Sequence, residues 1–156
     1  PEHLFQLGFP TTKLDTFPMG ELIAKVSEVF QIFQPEEVFI PHQGDVHSDQ
    51  RLTFETVSAC TKWFRYPSVK RVLSYETLSE TEFSLDSTKT FHPNVFVDIS
   101  DYFGQKLELL RIYASELGEF PFPRSETSIR ALAQFRGCSS GFNHPEGFRL
   151  LMALQP

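Results

Sequence analysis
Hydrophobic residues recur at steps of three and four along residues 18–34, the spacing that places them on one face of a helix. The apolar positions are Leu22, Ile23, Val26, Val29, Phe30 and Phe33. Pro18 suits the first turn of this helix, and Pro35 ends it. The apolar run Val38–Ile40, which is closed by Pro41, then predicts a short buried strand.

The chain continues with alternating helices and strands. A second helix is predicted over Arg51–Lys62 with Asp49 as its cap, then a strand over Lys70–Glu76 and a polar surface loop over Thr77–Lys89. This order is typical of a parallel sheet covered by crossover helices. The predicted fold class is therefore α/β, with a Rossmann-like, mainly parallel sheet flanked by helices.

Further elements of both kinds are predicted nearer the two ends of the chain. Ser100 and Ser125 have the residue type of helix caps. The predicted strands are Phe5–Phe9 and Asn94–Ile99, and the segment Glu146–Leu151 is predicted as a closing edge strand or a turn. The predicted helices run from Ser100 to Leu117 and from Ser125 to about Arg136, with a flexible connector over Gly137–Gly141.

Length and charge narrow the class of protein. A chain of 156 residues with 40% hydrophobic content buries one sizeable core, so a single domain over residues 1–156 is expected. The net charge of -6 disfavours nucleic acid as a partner. Cys60 and Cys138 lack metal-type spacing and fit a reducing, cytoplasmic setting. No apolar run is long enough to cross a bilayer, so no membrane partner is expected.

The loop after the first predicted strand concentrates groups that carry chemistry. His42, Asp45, His47 and Asp49 supply the nitrogen and carboxylate ligands of a hydrolytic metal site, and Arg51 follows. In α/β sheets, ligands bind beyond the carboxyl ends of the strands, so this loop is the candidate active site. The alternative is that the histidines are solvated loop residues and Asp49 only caps a helix.

Three residues outside the loop are further candidates. Glu76 ends a strand at the same predicted edge of the sheet as the loop, so it is positioned to line the site. Arg136, beside a glycine, either binds a carboxylate or hydroxyl group of a substrate or pairs with Glu146. Both interpretations of Arg136 stay open at the level of sequence.

Several segments together resemble the later part of the PIG-L/LmbE family of zinc-dependent N-deacetylases. The resemblance covers nearly the whole chain from about the first helix onwards. The family has a His-x-Asp-His loop after a strand, and an Arg-Gly pair followed by a Gly and an acidic residue before Phe. The matching segments are Gly44–Arg51, Tyr75–Thr77, Arg124-Ser125, Arg136-Gly137, Gly141 and Glu146–Phe148.

This resemblance implies a Rossmann-like fold and hydrolysis of an N-acetyl group on an amino sugar or sugar conjugate by zinc-bound water. His47 matches the residue that stabilises the oxyanion and protonates the leaving amine, Asp49 the carboxylate that orients it, and Gln50 a metal-ligand position. Contact with the small-molecule amino-sugar substrate is expected from four further residues. They are Arg51, Glu76, Arg136 and Glu146.

The chain departs from the family pattern in two places. The family's first metal motif, His-Pro-Asp-Asp, is absent, and Gln50 stands where the family has a histidine, although an amide oxygen is a poor zinc ligand. One interpretation is a deacetylase domain that lacks its first βαβ portion. Its open sheet edge would then favour a homo-oligomer. The alternative is a catalytically inactive relative that binds carbohydrate or acts in assembly.

Overall fold
A computed structural model of the chain describes residues 3–155 and contains four strands and four α-helices within them. The strands are β1 (Glu37–Pro41), β2 (Arg71–Tyr75), β3 (Val95–Asp98) and β4 (Pro145–Ala153). The helices are α1 (Met19–Phe33), α2 (Ser48–Ala59), α3 (Phe103–Ile112) and α4 (Glu126–Ser140). The strands form one sheet in the order β1-β2-β4-β3, so the predicted α/β class is confirmed.

The described residues divide into two compact units, which we call unit 1 (residues 3–91 and 150–155) and unit 2 (residues 92–149). The single domain expected from the length of the chain stays a prediction. Unit 1 contains the elements from the α1 helix to the β2 strand, together with the candidate active-site loop.

Unit 1 is built around the parallel pair β1 and β2, in which Val38 lies opposite Val72. Because side chains alternate along a strand, Val38 and Ile40 point into the core while Phe39 between them is half exposed. The α1 helix covers this face with Phe30, whose ring meets the ring of Tyr66 edge to face at 5.9 Å. The core therefore fixes the carboxyl end of β1, where the candidate loop begins.

Unit 2 contains the antiparallel pair β3 and β4, in which Val95 lies opposite Phe148. The helices α3 and α4 bury one side each in this unit. The buried helix residues are Phe103 and Leu107 of α3 and Ile129 and Ala133 of α4. The ring of Phe103 stacks on His144 at 4.3 Å, which joins α3 to the segment before β4.

Two predictions for the segments near Ser100 and Phe5 were wrong in detail. The segment from Ser100 to Leu117 is a short 3-10 turn, the α3 helix and a second 3-10 turn, and Ser100 does not cap it. Both the N–H and the hydroxyl of Ser100 instead donate to the Asp98 carboxylate, which shapes the turn after β3. No strand forms at Phe5–Phe9 either, since nothing pairs with that segment in the described part of the sheet.

The end of α4 and the position of β4 also differ from the sequence prediction. The α4 helix does not stop near Arg136 but runs to Ser140, so the predicted flexible connector is mostly helical. Gly141 ends the helix with a left-handed backbone at φ 79°, a conformation that suits glycine. The β4 strand is longer than predicted and lies between β2 and β3 rather than at an edge. Ser125 caps α4 by accepting from the N–H of Ser128, as predicted.

Among the helices of residues 3–155, none combines the length and the apolar character that a bilayer crossing requires.

Two isoleucines allow the stability that the unit 1 core contributes to be compared with that of the surface. Ile40 is 1% exposed in the core, and Ile32 is 75% exposed on α1. We expect Ile40→Ala to lower the free energy of unfolding by about 2–5 kcal/mol, because it leaves a cavity behind β1. Ile32→Ala should change it by less than about 0.5 kcal/mol. Urea denaturation of both variants tests this, and equal losses would contradict the assigned core.

Candidate active-site loop
The candidate loop, residues 42–47, leaves the carboxyl end of β1 and enters the first turn of α2. Because β1 and β2 are parallel with Pro41 opposite Tyr75, the residue that follows β2, Glu76, leaves the sheet at the same edge. This edge is where ligands bind in sheets of this kind. The structure therefore brings the loop and the half-buried Glu76 to one end of unit 1.

His47, not Asp49, caps the α2 helix. The helix begins at Ser48, three residues earlier than predicted, and the Nδ1 atom of His47 accepts a hydrogen bond of 3.1 Å from the backbone N–H of Asp49. The prediction of an Asp49 cap was wrong because Asp49 already lies inside the first turn. A neutral imidazole that accepts at Nδ1 carries its proton at Nε2, so the ring has a defined donor side.

The Asp49 carboxylate has partners elsewhere in unit 1. It accepts hydrogen bonds from the N–H of Thr12 at 2.6 Å and from the N–H of Leu14 at 3.2 Å. A negative charge in the first turn of a helix is also favourable. Asp49 thus fixes the segment before α1 to the start of α2, and it contacts the His47 ring through its backbone N–H.

Asp45 is the most deeply buried charged group of the loop, with 0% of its surface exposed. Its Oδ2 accepts from the N–H of His42 at 3.2 Å, and its Oδ1 accepts from the hydroxyl of Thr81 at 2.6 Å. Burial raises the pKa of Asp45 above its usual value, although these hydrogen bonds and the His42 ring act in the opposite direction. The carboxylate therefore closes the loop on itself and joins it to a distant segment.

That distant segment, residues 77–90, holds the loop through two more hydrogen bonds and one close approach. His42 Nε2 lies 2.7 Å from the carbonyl oxygen of Lys89, and the N–H of Val46 donates to the carbonyl of Glu80. A Cβ atom on Gly44 would lie 2.5 Å from the Lys89 oxygen, so only glycine fits there. The segment was predicted as a surface loop, and it contains only turns and one 3-10 turn, but we call it the strap because it holds the site loop.

Arg51 also contacts the loop from its first helical turn. Its guanidinium Nη1 donates to the carbonyl oxygens of Asp45 at 2.9 Å and of Val46 at 2.6 Å. These bonds satisfy carbonyl groups at the tightest part of the loop. The contact of Arg51 with a substrate stays a prediction. In the structure, Arg51 holds the backbone of the loop in place.

In the part of the chain that the structure describes, the donor groups do not by themselves make a zinc site. Among residues 3–155, no three His, Cys, Asp or Glu side chains cluster in a way that could hold a metal ion. The oxygens of Asp45 and Asp49 are engaged as described above. Gln50, the predicted ligand position, has a buried Oε1 atom without a hydrogen-bond partner in the described residues, and an amide oxygen is a poor zinc ligand.

The two remaining predicted substrate residues lie in unit 2. Glu146, in β4, forms an ion pair with Lys106 of α3. The guanidinium of Arg136 lies over the ring of Phe135 at 5.4 Å, and its Cδ atom packs where a side chain on Gly147 would stand. Their predicted role in substrate binding stays a prediction.

Sequence reasoning missed the positioning roles of Thr81 and Lys89. Thr81 lies 36 residues from Asp45, and Lys89 lies 47 residues from His42. A threonine and a backbone carbonyl in a polar connection carry no periodic or spacing signal. Only the geometry of the fold class, in which parallel strand ends meet at one edge, indicated that residues after β2 would approach the loop.

Comparison with known proteins shows the fold. The chain superposes on an N,N'-diacetylchitobiose deacetylase of Pyrococcus horikoshii with a TM-score of 0.68 and 24% identity, over 92% of this chain and 55% of that one. It superposes on a conserved protein of Thermus thermophilus with a TM-score of 0.71 and 20% identity, over 96% of this chain and 66% of that one.

One curated relative matches at the level of sequence. It is a diacetylchitobiose deacetylase of Thermococcus kodakarensis, 37% identical over 62 residues, which is 40% of this chain and 23% of the relative. The matched segment thus spans about a quarter of that relative, and the superposed chain spans between half and two thirds of the two structures. No family model matches the chain.

The buried Asp45 carboxylate should give the protein a measurable pH dependence. Its pKa in the folded state is raised above its usual value, so the folded state holds the proton more tightly than the unfolded state. Stability from this group is therefore present at low pH and is lost as the pH rises through the folded pKa.

We expect the wild type to lose stability relative to Asp45→Asn as the pH rises from about 4 to about 7, because the variant cannot ionise. Urea denaturation of both proteins across this range measures the difference. A difference that stays constant, or that changes in favour of the wild type at high pH, would contradict the burial argument.

Proposed function
We propose that this chain contributes the His47 loop to a PIG-L/LmbE-type enzyme that removes an N-acetyl group from an amino sugar or sugar conjugate. The observation that carries the proposal is the fixed orientation of His47 at the carboxyl edge of the parallel strands. The names of one structural neighbour and one curated relative, both diacetylchitobiose deacetylases, support the substrate class.

The proposed reaction adds water to the amide carbonyl carbon and breaks the bond to nitrogen, which yields acetate and a free amine. A ring that carries its proton at Nε2 can donate to the carbonyl oxygen as negative charge develops there. Transfer of that proton to the leaving nitrogen requires Nδ1 to take up a proton in turn. The capping bond from the N–H of Asp49 opposes this step, so the intact cap favours oxygen stabilisation by His47.

The other predicted groups have different roles in the proposal. Arg51 acts by holding the carbonyls of the loop, and Glu76 is an acidic candidate that follows β2 at the same strand edge. Arg136 and Glu146 remain candidate substrate contacts. Zinc also remains part of the proposal for the family activity, but the donors in residues 3–155 do not complete its site, so no step is assigned to it.

An amine-release assay on N,N'-diacetylchitobiose tests the proposal, with added zinc and with chelator as separate conditions. We expect the wild-type chain to release free amine, and we expect His47→Ala to lower the rate by about a hundredfold to a thousandfold, because it removes the donor to the developing charge on the carbonyl oxygen. His92 is exposed and lies outside the loop, so His92→Ala is the matched control and should retain the wild-type rate.

Two results would contradict the proposal. One is a folded wild-type chain that releases no amine under either condition while it binds the sugar saturably, which would favour the carbohydrate-binding alternative. The other is amine release that His47→Ala leaves unchanged.

A further inference from the structure
The turn between α2 and β2 exposes two large aromatic side chains side by side. Trp63 is 69% exposed and Phe64 is 62% exposed, and their rings meet edge to face at 5.9 Å. The guanidinium of Arg65 lies 5.9 Å from the centre of the Phe64 ring. We call residues 62–65 the aromatic tip. Single exposed apolar residues are common, but an adjacent Trp and Phe form a patch that indicates an interaction surface.

The aromatic tip is held by the core rather than left as a loose loop. Directly after it, Tyr66 and Val69 are buried, and the Tyr66 hydroxyl donates to the Ser27 hydroxyl at 2.8 Å. The N–H groups of Arg65 and Tyr66 both donate to the carbonyl of Lys62 at 2.9 Å. The backbone that carries the two exposed rings is therefore fixed, which lowers the backbone entropy lost when a partner covers them.

The charge around the aromatic tip is opposite to the charge of the whole chain. Residues 56–75 contain four basic residues and no acidic residue, in a chain of net charge -6. Arg71 is neutralised by Glu37 at 2.9 Å. No carboxylate in residues 3–155 forms an ion pair with the other three, which are Lys62, Arg65 and Lys70. Exposed Glu36 adjoins this region, since its backbone carbonyl accepts from the N–H of Lys70.

We propose that the aromatic tip docks unit 1 on an anionic lipid surface. Trp and Phe insert at the boundary between headgroups and acyl chains, while Lys and Arg extend their charged ends to the lipid phosphates. Each basic residue near an anionic leaflet adds to binding electrostatically. The proposed contact lies at the membrane surface and needs no spanning helix. Hydropathy predicts only spanning segments, so it does not address this kind of contact.

The position of the aromatic tip leaves the candidate active site accessible. The tip precedes β2, whereas the site loop follows β1, and the two strands are parallel. The tip and the loop therefore lie at opposite ends of a strand pair five residues long, about 17 Å apart along the strands. The proposal is independent of the deacetylase activity, because it uses none of the residues assigned to that activity.

Two other partners fit the aromatic tip less well. A nucleic acid requires a longer basic stripe than three cations without an ion pair. A second copy of the chain in a two-fold contact would bring the same cations face to face. An anionic bilayer satisfies both the exposed aromatic rings and the local positive charge.

Trp63 is the single tryptophan of the chain, so its fluorescence reports directly on the aromatic tip. The full chain is titrated with vesicles of phosphatidylcholine alone and with vesicles of equimolar phosphatidylcholine and phosphatidylserine. We expect a blue shift of the emission, and quenching by brominated acyl chains, only with the anionic vesicles. High salt should reverse binding, since it shortens the screening length from about 10 Å to about 3 Å.

Variants separate the contributions of charge and aromatic surface. Arg65→Ala keeps the fluorophore and should lower the partition coefficient about fivefold. In co-sedimentation, Trp63→Ala combined with Phe64→Ala should lower it about tenfold or more. Leu85, which is fully exposed in the strap beside Asp86, is the matched control, and Leu85→Ala should bind as the wild type does.

Four results would overturn the proposal. They are emission of Trp63 that anionic vesicles leave unchanged, a blue shift that grows with protein concentration without vesicles, a response to a single-stranded oligonucleotide but not to vesicles, and equal loss of binding in Leu85→Ala. The second would assign the aromatic tip to contact between copies of the chain, and the third would assign it to nucleic acid.

Discussion
The buried carboxylate of Asp45 is the constraint on which the candidate site depends. It is fully removed from solvent, and it joins the start of the loop at His42 to the strap at Thr81. A buried carboxylate is costly unless hydrogen bonds satisfy its oxygens, so its two partners cannot separate without exposing or stranding a charge. The loop that ends at His47 is consequently held by contacts made far away in the sequence.

Three segments of unit 1 meet at the first turn of α2. The strap reaches it through Asp45, the segment before α1 reaches it through Asp49, and Arg51 binds the loop carbonyls from within the helix. The helix itself fixes the His47 imidazole, because the ring occupies the capping position that a Ser, Thr, Asp or Asn side chain usually fills. His47 caps the helix and is also the proposed catalytic donor. The start of the α2 helix therefore determines the orientation of the group that would donate to the carbonyl oxygen.

The sequence pattern predicted the parts of this fold that depend on neighbours in the chain. The α1 helix, the β1 and β2 strands and the cap at Ser125 follow from periodicity and local hydrogen bonding. The cap of α2 was misassigned because His47 and Asp49 are both able to accept from a helix N–H, and only the true start of the helix distinguishes them. Contacts over long separations were not predictable, since the bonds from Thr81 to Asp45 and from Thr12 to Asp49 join polar residues whose local surroundings indicate loops. The spacing of these residues in the sequence also did not indicate that other protein groups would donate hydrogen bonds to the two carboxylates.

The tautomer of His47 is the most direct test of its role as helix cap and proton donor. NMR correlations between ring nitrogens and ring protons, assigned by comparison with His47→Gln, report which nitrogen carries the proton. We predict a proton at Nε2 and an unprotonated Nδ1 that accepts from the N–H of Asp49. A proton at Nδ1 would contradict both the capping role of His47 and the donor side on which the proposed chemistry rests.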